Sequence, residues 1–138
     1  MKKFALLFVL VSLAAALLAA CGGSGSAGSC GSRSSSGSSG GSTPTVHMCG
    51  NNFEQSSITR SKGQSLTLVD DSSTGHSIAN GSWVNGSAQP KQEPGALAVN
   101  NLQINGNTSQ TIGPFTTAGT YHLYCTWHSG MNLTVIVQ

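Results

Sequence analysis

A segment of 22 residues, Gly22 to Thr43, consists almost entirely of glycine and serine, with eight of the first and ten of the second. Such a composition buries too little apolar surface to offset the conformational entropy lost on folding, so no packed structure forms there. The segment predicts a flexible linker with an r.m.s. span of about 25 Å. Of the 138 residues, 94 follow Pro44, and they are enough for one folded domain.

The residues before the linker have the pattern of an export signal. Lys2 and Lys3 precede an apolar run from Phe4 to Ala20 that ends in small residues. This arrangement predicts a signal peptide over residues 1–20 rather than a retained membrane span. The sequence Leu-Ala-Ala-Cys that ends at Cys21 resembles the lipobox of bacterial lipoproteins. The resemblance implies a lipid on Cys21 and a lipid-anchored location in the cell envelope, facing the periplasm or another extracytoplasmic side. An unmodified Cys21 beside an ordinary cleavage site is the alternative.

These boundaries divide the chain into a signal peptide, a segment 21–44 that holds the lipidated cysteine and the disordered linker, and a domain over residues 45–138. The domain has three basic and four acidic side chains, hence a net charge of −1. It has no stripe of basic residues that could neutralise a phosphate backbone, so we expect no nucleic-acid partner.

Short segments with apolar residues at every second position predict an all-β domain. The clearest are Gln64 to Asp70, Tyr121 to Cys125 and Asn132 to Gln138, and shorter candidates are Thr45 to Met48, Ser56 to Arg60, His76 to Asn80 and Ser109 to Phe115. Asn-Gly, Pro-Gly and Ala-Gly pairs between these segments, among them Asn80-Gly81 and Asn85-Gly86, predict turns. Because no amphipathic helix is evident, the spacing favours a mainly antiparallel β-sandwich. Residues 81–108 have the weakest pattern, and we expect an irregular excursion there with no more than one short strand.

Cys125, His128 and Met131 follow one another at intervals of three residues, directly after a predicted strand. Thiolate, imidazole and thioether are soft to borderline ligands, and together they suit copper. A trigonal site of two histidines and one cysteine with an axial methionine needs a second histidine. His76 is the best candidate, because it begins a predicted strand and Gly75 before it permits a close approach of the backbone.

The stretch from Gly119 to Cys125 resembles the Gly-x-Tyr-x-Phe-Tyr-Cys strand of the cupredoxins, the small blue copper proteins. The three-residue steps from cysteine to histidine to methionine are similar to amicyanin. The resemblance covers most of residues 45–138 and implies a Greek-key β-sandwich with one type 1 copper ion. Two positions depart from the family pattern: Ser77 stands where many members have asparagine, and Trp127 where proline is common.

The resemblance further implies that His76, Cys125, His128 and Met131 hold the copper, which cycles between Cu(I) and Cu(II) in electron transfer. It implies a monomer that is not an enzyme and that meets redox partner proteins transiently near His128 and Trp127. A carrier or buffer of copper in the envelope is the alternative function. A copper enzyme is disfavoured, because only His47 and His122 remain for any further metal site.

Several other residues have simpler interpretations. Cys30 and Cys49 could form a disulfide, and the sequence leaves this open. His47 beside Met48 and Cys49 suggests a second metal site, but adjacent strand residues point to opposite faces of a sheet. We expect His122 and Asp70 to be solvated and Tyr124 to lie on the surface.

Overall fold

A computed structural model describes residues 43–138, and the predictions for the signal peptide, Cys21 and most of the linker lie outside these residues. The described part contains strands and no helix. The strands are β1 (Thr45–Cys49), β2 (Asn52–Phe53), β3 (Ser57–Arg60), β4 (Leu66–Asp70), β5 (His76–Val84), β6 (Ser87–Pro90), β7 (Leu102–Ile104), β8 (Ser109–Ile112), β9 (Gly119–Cys125) and β10 (Asn132–Val137). The all-β prediction is therefore confirmed, and each predicted strand overlaps an observed one.

The strands form two sheets. One has four strands in the order β2-β1-β4-β8, and the other has the order β3-β10-β9-β5-β6, with β7 also paired to β5. Most pairs are antiparallel, as expected, but β1 lies parallel to β4 and β10 parallel to β3. The two sheets thus have mixed pairing rather than a simple meander of hairpins.

The core lies between the two sheets and follows from the alternation of residues along the strands. Leu66 and Leu68 of the four-stranded sheet and Leu133 and Val135 of the other are all fully buried. Together with the buried residues of β1, β5 and β9 they form a single apolar cluster. Because successive side chains of a strand point to opposite faces, each of these strands contributes one face to the core.

Tyr121 explains the spacing of the glycine and tyrosine in the Gly-x-Tyr sequence of β9. Its hydroxyl donates hydrogen bonds to the carbonyl oxygens of Thr117 (2.9 Å) and Ala118 (3.3 Å). The ring passes so close to Gly119 that a Cβ atom there would lie 2.8 Å from the hydroxyl oxygen. The glycine therefore leaves space for a tyrosine that fixes the corner where the chain enters β9.

The segment 81–108 is more regular than we predicted. Strand β5 continues through Asn80 and Gly81, which we had predicted to be a turn, and forms a hairpin with β6. The true turn is Asn85-Gly86, where both residues have positive φ angles, as a two-residue hairpin turn of type I′ requires. At Gly81 a Cβ atom would lie 2.3 Å from the carbonyl oxygen of Gln89, so glycine is needed there for the close approach of β6.

The two cysteines of the described region differ in state. Cys125 is buried and free. Cys49 is disulfide-bonded. Its candidate partner from the sequence, Cys30, lies outside the described residues, so that pairing stays a prediction. Residues 43–138 contain no helix long and apolar enough to cross a membrane.

Candidate metal centre

Strands β5 and β9 bring two of the predicted ligands to the same end of the larger sheet. The strands are antiparallel neighbours, with Ile78 opposite Cys125. The first residue of β5, two positions before Ile78, therefore lies just beyond the last residue of β9, at the same end of the sheet. These residues are His76 and Cys125, which are 49 positions apart in the chain and both fully buried.

The short connection from β9 to β10 supplies the other two predicted ligands. It folds back on itself, because the amide of Met131 donates to the carbonyl oxygen of His128 (3.2 Å) and the amide of Cys125 donates to that of Met131 (3.0 Å). Gly130 has a φ of 82°, which favours glycine at this bend. The Met131 side chain is buried in the core cluster.

The donor atoms of His76, Cys125 and His128 converge on one point. All three lie within 4.8 Å of one another. The Nδ1 atom of His128 is 3.2 Å from Nδ1 of His76 and 3.3 Å from the Cys125 sulfur. Metal bonds of about 2.0 Å to nitrogen and about 2.3 Å to sulfur place neighbouring donors of a trigonal site about 3.5 Å apart. The cluster is thus the right size for one metal ion, and its thiolate and two imidazoles fit copper.

Burial keeps the His76 ring in the form that can bind a metal. Desolvation lowers the pKa of His76, the negative charge of Asp70 opposes this effect, and the neighbouring His128 adds to it. A neutral ring has one nitrogen free as a ligand and a proton on the other. On the far side of the ring, Nε2 lies 3.6 Å from the Asp70 carboxylate, which is also fully buried.

Backbone groups tie the two ligand-bearing segments together. The Ser77 carbonyl oxygen accepts hydrogen bonds from the amide (2.8 Å) and the hydroxyl (3.3 Å) of Thr126. The two segments are therefore hydrogen-bonded to each other even though Ser77 stands where many family members have asparagine. The indole of Trp83 donates to the carbonyl oxygen of Cys125 (2.8 Å), a contact that sequence reasoning missed because Trp83 is 42 residues away.

One side of the cluster is close to solvent. His128 is only half-buried, and the neighbouring Trp127 is 56% exposed. At Gly75 a Cβ atom would lie 3.3 Å from the Ile104 carbonyl oxygen and 3.6 Å from the Trp127 ring. The close approach of the backbone predicted at Gly75 is therefore observed. It also places Gly75 in contact with the ring of the exposed Trp127.

Residues outside the cluster have structural contacts. Nδ1 of His47 lies 2.6 Å from the Asp71 carboxylate, and that of His122 lies 2.7 Å from Glu93. His122 is partly exposed, but it is paired rather than simply solvated. Among the described residues only the cluster of His76, Cys125 and His128 has three such donors together, so His47 is not in a second metal site of that kind.

Two predictions about exposure were wrong. Tyr124 is buried, because the Trp83 ring packs edge-on against it with the centroids 6.0 Å apart. Asp70 is buried rather than solvated. The signal for Asp70 was present in the sequence, since it continues the period-two series of Leu66 and Leu68 onto the core face of β4.

Comparison with known proteins gives a consistent result. The sequence profile of the copper binding proteins of the plastocyanin/azurin family matches residues 45–138. The chain is also similar to solved structures of amicyanin. For amicyanin from Paracoccus versutus, the sequence identity is 19%, the TM-score is 0.55, and the match covers 72% of this chain and 84% of that one. For the reduced Cu(I) form of an amicyanin variant at pH 4, the identity is 20%, the TM-score 0.52 and the coverages 68% and 80%. The comparison with curated protein sequences found no match.

Proposed function

Because the chain belongs to the plastocyanin/azurin family of copper-binding proteins, we propose that it carries electrons through one mononuclear copper centre while anchored to a membrane of the cell envelope. The observation that carries the proposal is the convergence of the His76, Cys125 and His128 donor atoms on a single point. In this proposal Met131 supplies the weak axial ligand from the same connection. A copper ion bound there would alternate between Cu(I) and Cu(II).

The chain's own contribution is a rigid set of ligands. His76 is fixed by its place in β5, and Cys125 by its pairing in β9. The hydrogen bonds among Cys125, His128 and Met131 hold the connection in one shape. Ligands that move little between two oxidation states keep the reorganisation energy small, and this favours fast electron transfer.

The half-buried His128 is the proposed point of electron entry and exit. Its ring lies beside the exposed Trp127 and Ser129, in a weakly polar patch whose residues 126–130 include no Asp, Glu, Lys or Arg. Transient redox partners use small interfaces, for which such a patch is sufficient. No bond of a substrate is made or broken in this function, so the protein is proposed not to be an enzyme.

The alternative of a copper carrier is weaker. A carrier usually offers exposed methionine or histidine clusters to pass on the metal, whereas Met48 and Met131 are both buried here. The two histidines outside the cluster are each engaged with a carboxylate. Within residues 43–138 the arrangement therefore favours a resident copper ion over a transferable one.

A copper titration with visible spectroscopy tests the proposal. We expect an intense blue band that saturates at one equivalent of Cu(II), disappears with a reductant and returns with an oxidant. Cys125→Ser should abolish the band because it removes the thiolate, whereas the control His47→Gln should retain it. Colourless copper binding by the parent protein, or a blue band that an oxidant does not restore after reduction, would contradict the electron-transfer proposal and favour the copper carrier.

A further inference from the structure

We infer that Asp70 is a positioning residue of the copper centre. Its carboxylate orients the His76 ring by accepting a hydrogen bond from Nε2–H of that ring, and its negative charge lowers the reduction potential of the copper. The inference rests on the proposed function, since it concerns the same site. It assigns a role to a residue that is neither a ligand nor part of the ligand-bearing segments.

The first observation is a pair of buried polar atoms that face each other. The Oδ2 atom of Asp70 lies 3.6 Å from Nε2 of His76, and both side chains are fully buried. Neither atom has a hydrogen-bond partner within the described part of the chain. Leaving a buried donor and a buried acceptor unpaired costs free energy. A shift of about 0.8 Å, shared between the two side chains, joins them in one charge-assisted bond of about 2.8 Å.

The second observation is that the Asp70 carboxylate is already oriented. Its other oxygen, Oδ1, accepts hydrogen bonds from the Ser72 amide (2.9 Å) and the Ser72 hydroxyl (2.8 Å). The Asp70 amide in turn donates to the carbonyl oxygen of Thr108 (2.8 Å). These contacts fix the plane of the carboxylate and leave Oδ2 directed at His76.

The third observation concerns the two sides of the His76 ring. Its Nδ1 atom faces the donor cluster, 3.2 Å from Nδ1 of His128, whereas Nε2 faces Asp70. When Nδ1 is a ligand, Nε2 carries the proton, and a hydrogen bond from it to a carboxylate fixes the ring and makes it a stronger donor. Asp70 is also the one fully buried carboxylate in residues 43–138. Because a buried charge is poorly screened, it stabilises Cu(II) more than Cu(I) and lowers the potential.

The test compares two variants of the full-length protein, each of which lacks one negative charge. Asp70→Asn should keep the blue band but weaken Cu(II) binding relative to Cu(I) by tenfold or more, which corresponds to a rise in reduction potential of about 59 mV or more. The control is Asp71→Asn, because Asp71 is adjacent, 41% exposed and paired with His47 instead. It should raise the potential by less than a third of that amount. Ser72→Ala, which removes one of the bonds to Oδ1, should give an intermediate rise.

A second measurement separates positioning from general electrostatics. In the Cu(I) form, NMR should detect a slowly exchanging Nε2–H proton of His76, and Asp70→Asn should make its exchange at least tenfold faster. Equal potentials for Asp70→Asn and Asp71→Asn, in proteins that are both blue, would overturn the inference. If Asp70→Asn does not fold, Ser72→Ala takes its place in the comparison, and a reduction potential equal to that of Asp71→Asn would overturn the inference. Absence of a blue band from the parent protein would instead overturn the proposed function, and the inference with it.

Discussion

At the scale of single residues, the candidate centre depends on the Cys125 thiolate and the His76 and His128 imidazoles, whose donor atoms lie within 4.8 Å of one another. The spacing of Cys125, His128 and Met131 pointed to a metal because few other arrangements need a thiolate, an imidazole and a thioether so close together. The structure brings Cys125 and His128 together with His76, as predicted. That these residues hold copper stays a prediction. Asp70 was predicted to be solvated because acidic side chains are rarely buried, although its position in the alternating pattern of β4 indicated the core face.

Met131 is the proposed ligand whose effect on the reduction potential is simplest to test. Met131→Gln replaces the soft thioether by a harder oxygen, which favours Cu(II), so we expect the potential to fall by about 60 mV, equivalent to a tenfold change in relative affinity. Met131→Leu keeps the apolar volume but removes the donor, and it should shift the potential upward. Voltammetry of the two variants checks both signs, and a common shift in the same direction would contradict an axial role for Met131.

At the scale of the elements, local patterns predicted most strands but not how far they extend. Strand β5 was cut short at Asn80-Gly81, because an Asn-Gly pair normally marks a turn. In the structure Asn80 is instead buried within the strand, where its side chain accepts a hydrogen bond from the Val99 amide (2.6 Å) and donates one to the Leu97 carbonyl oxygen (3.1 Å). These contacts with a distant loop override the local preference.

The contact between the loop after β6 and strand β9 should make stability depend on pH. Burial alone would raise the pKa of Glu93, but hydrogen bonds from the His122 ring and amide outweigh it and lower the pKa. A carboxyl group with a lowered pKa in the folded state stabilises the protein above its ordinary pKa of about 4.5. This contribution is lost as the pH falls through the lowered value.

Removing either Glu93 or His122 should therefore make the free energy of unfolding less dependent on pH in the acid range. We expect the free energy of unfolding of copper-free Glu93→Gln to fall less than that of the parent protein between about pH 5 and pH 3. His122→Gln should behave in the same way, since it removes the partner that lowers the pKa of Glu93. Urea unfolding at a series of pH values measures the slopes, and three parallel curves would show that the contact does not contribute to the pH dependence of stability.

For the whole molecule, binary patterning was enough to predict an all-β sandwich, and the family profile and amicyanin-like fold agree with it. The parallel pairs β1–β4 and β10–β3 could not be predicted, because strand pairing between distant segments leaves no local signal. Charge patterning also carried little information. With a net charge of −1, residues 45–138 have no electrostatic preference for a particular partner or surface.

The proposed attachment to a membrane depends on a lipid at Cys21, and this dependence can be tested directly. Acyl chains gain about 0.8 kcal/mol for each buried methylene, so more than one chain on a single cysteine gives stable anchoring. In a bacterial host, we expect the full-length protein to partition at least tenfold into a detergent phase and to carry the added mass of acyl chains. Cys21→Ser should lose both properties, whereas Cys30→Ser, a cysteine change in the same segment, should keep them.

The distribution of Cys21→Ser distinguishes the possible kinds of attachment. If the variant stays in the membrane at its full length, the apolar run Phe4 to Ala20 is a retained span, and the signal-peptide prediction is wrong. If the parent protein itself is recovered in the aqueous phase without added mass, there is no lipid anchor. Loss of both lipid and membrane association in Cys21→Ser alone would leave the predicted linker as the connection between the bilayer and the copper domain. At about 25 Å, that linker is long enough to let the exposed Trp127 face turn towards a partner in the same membrane.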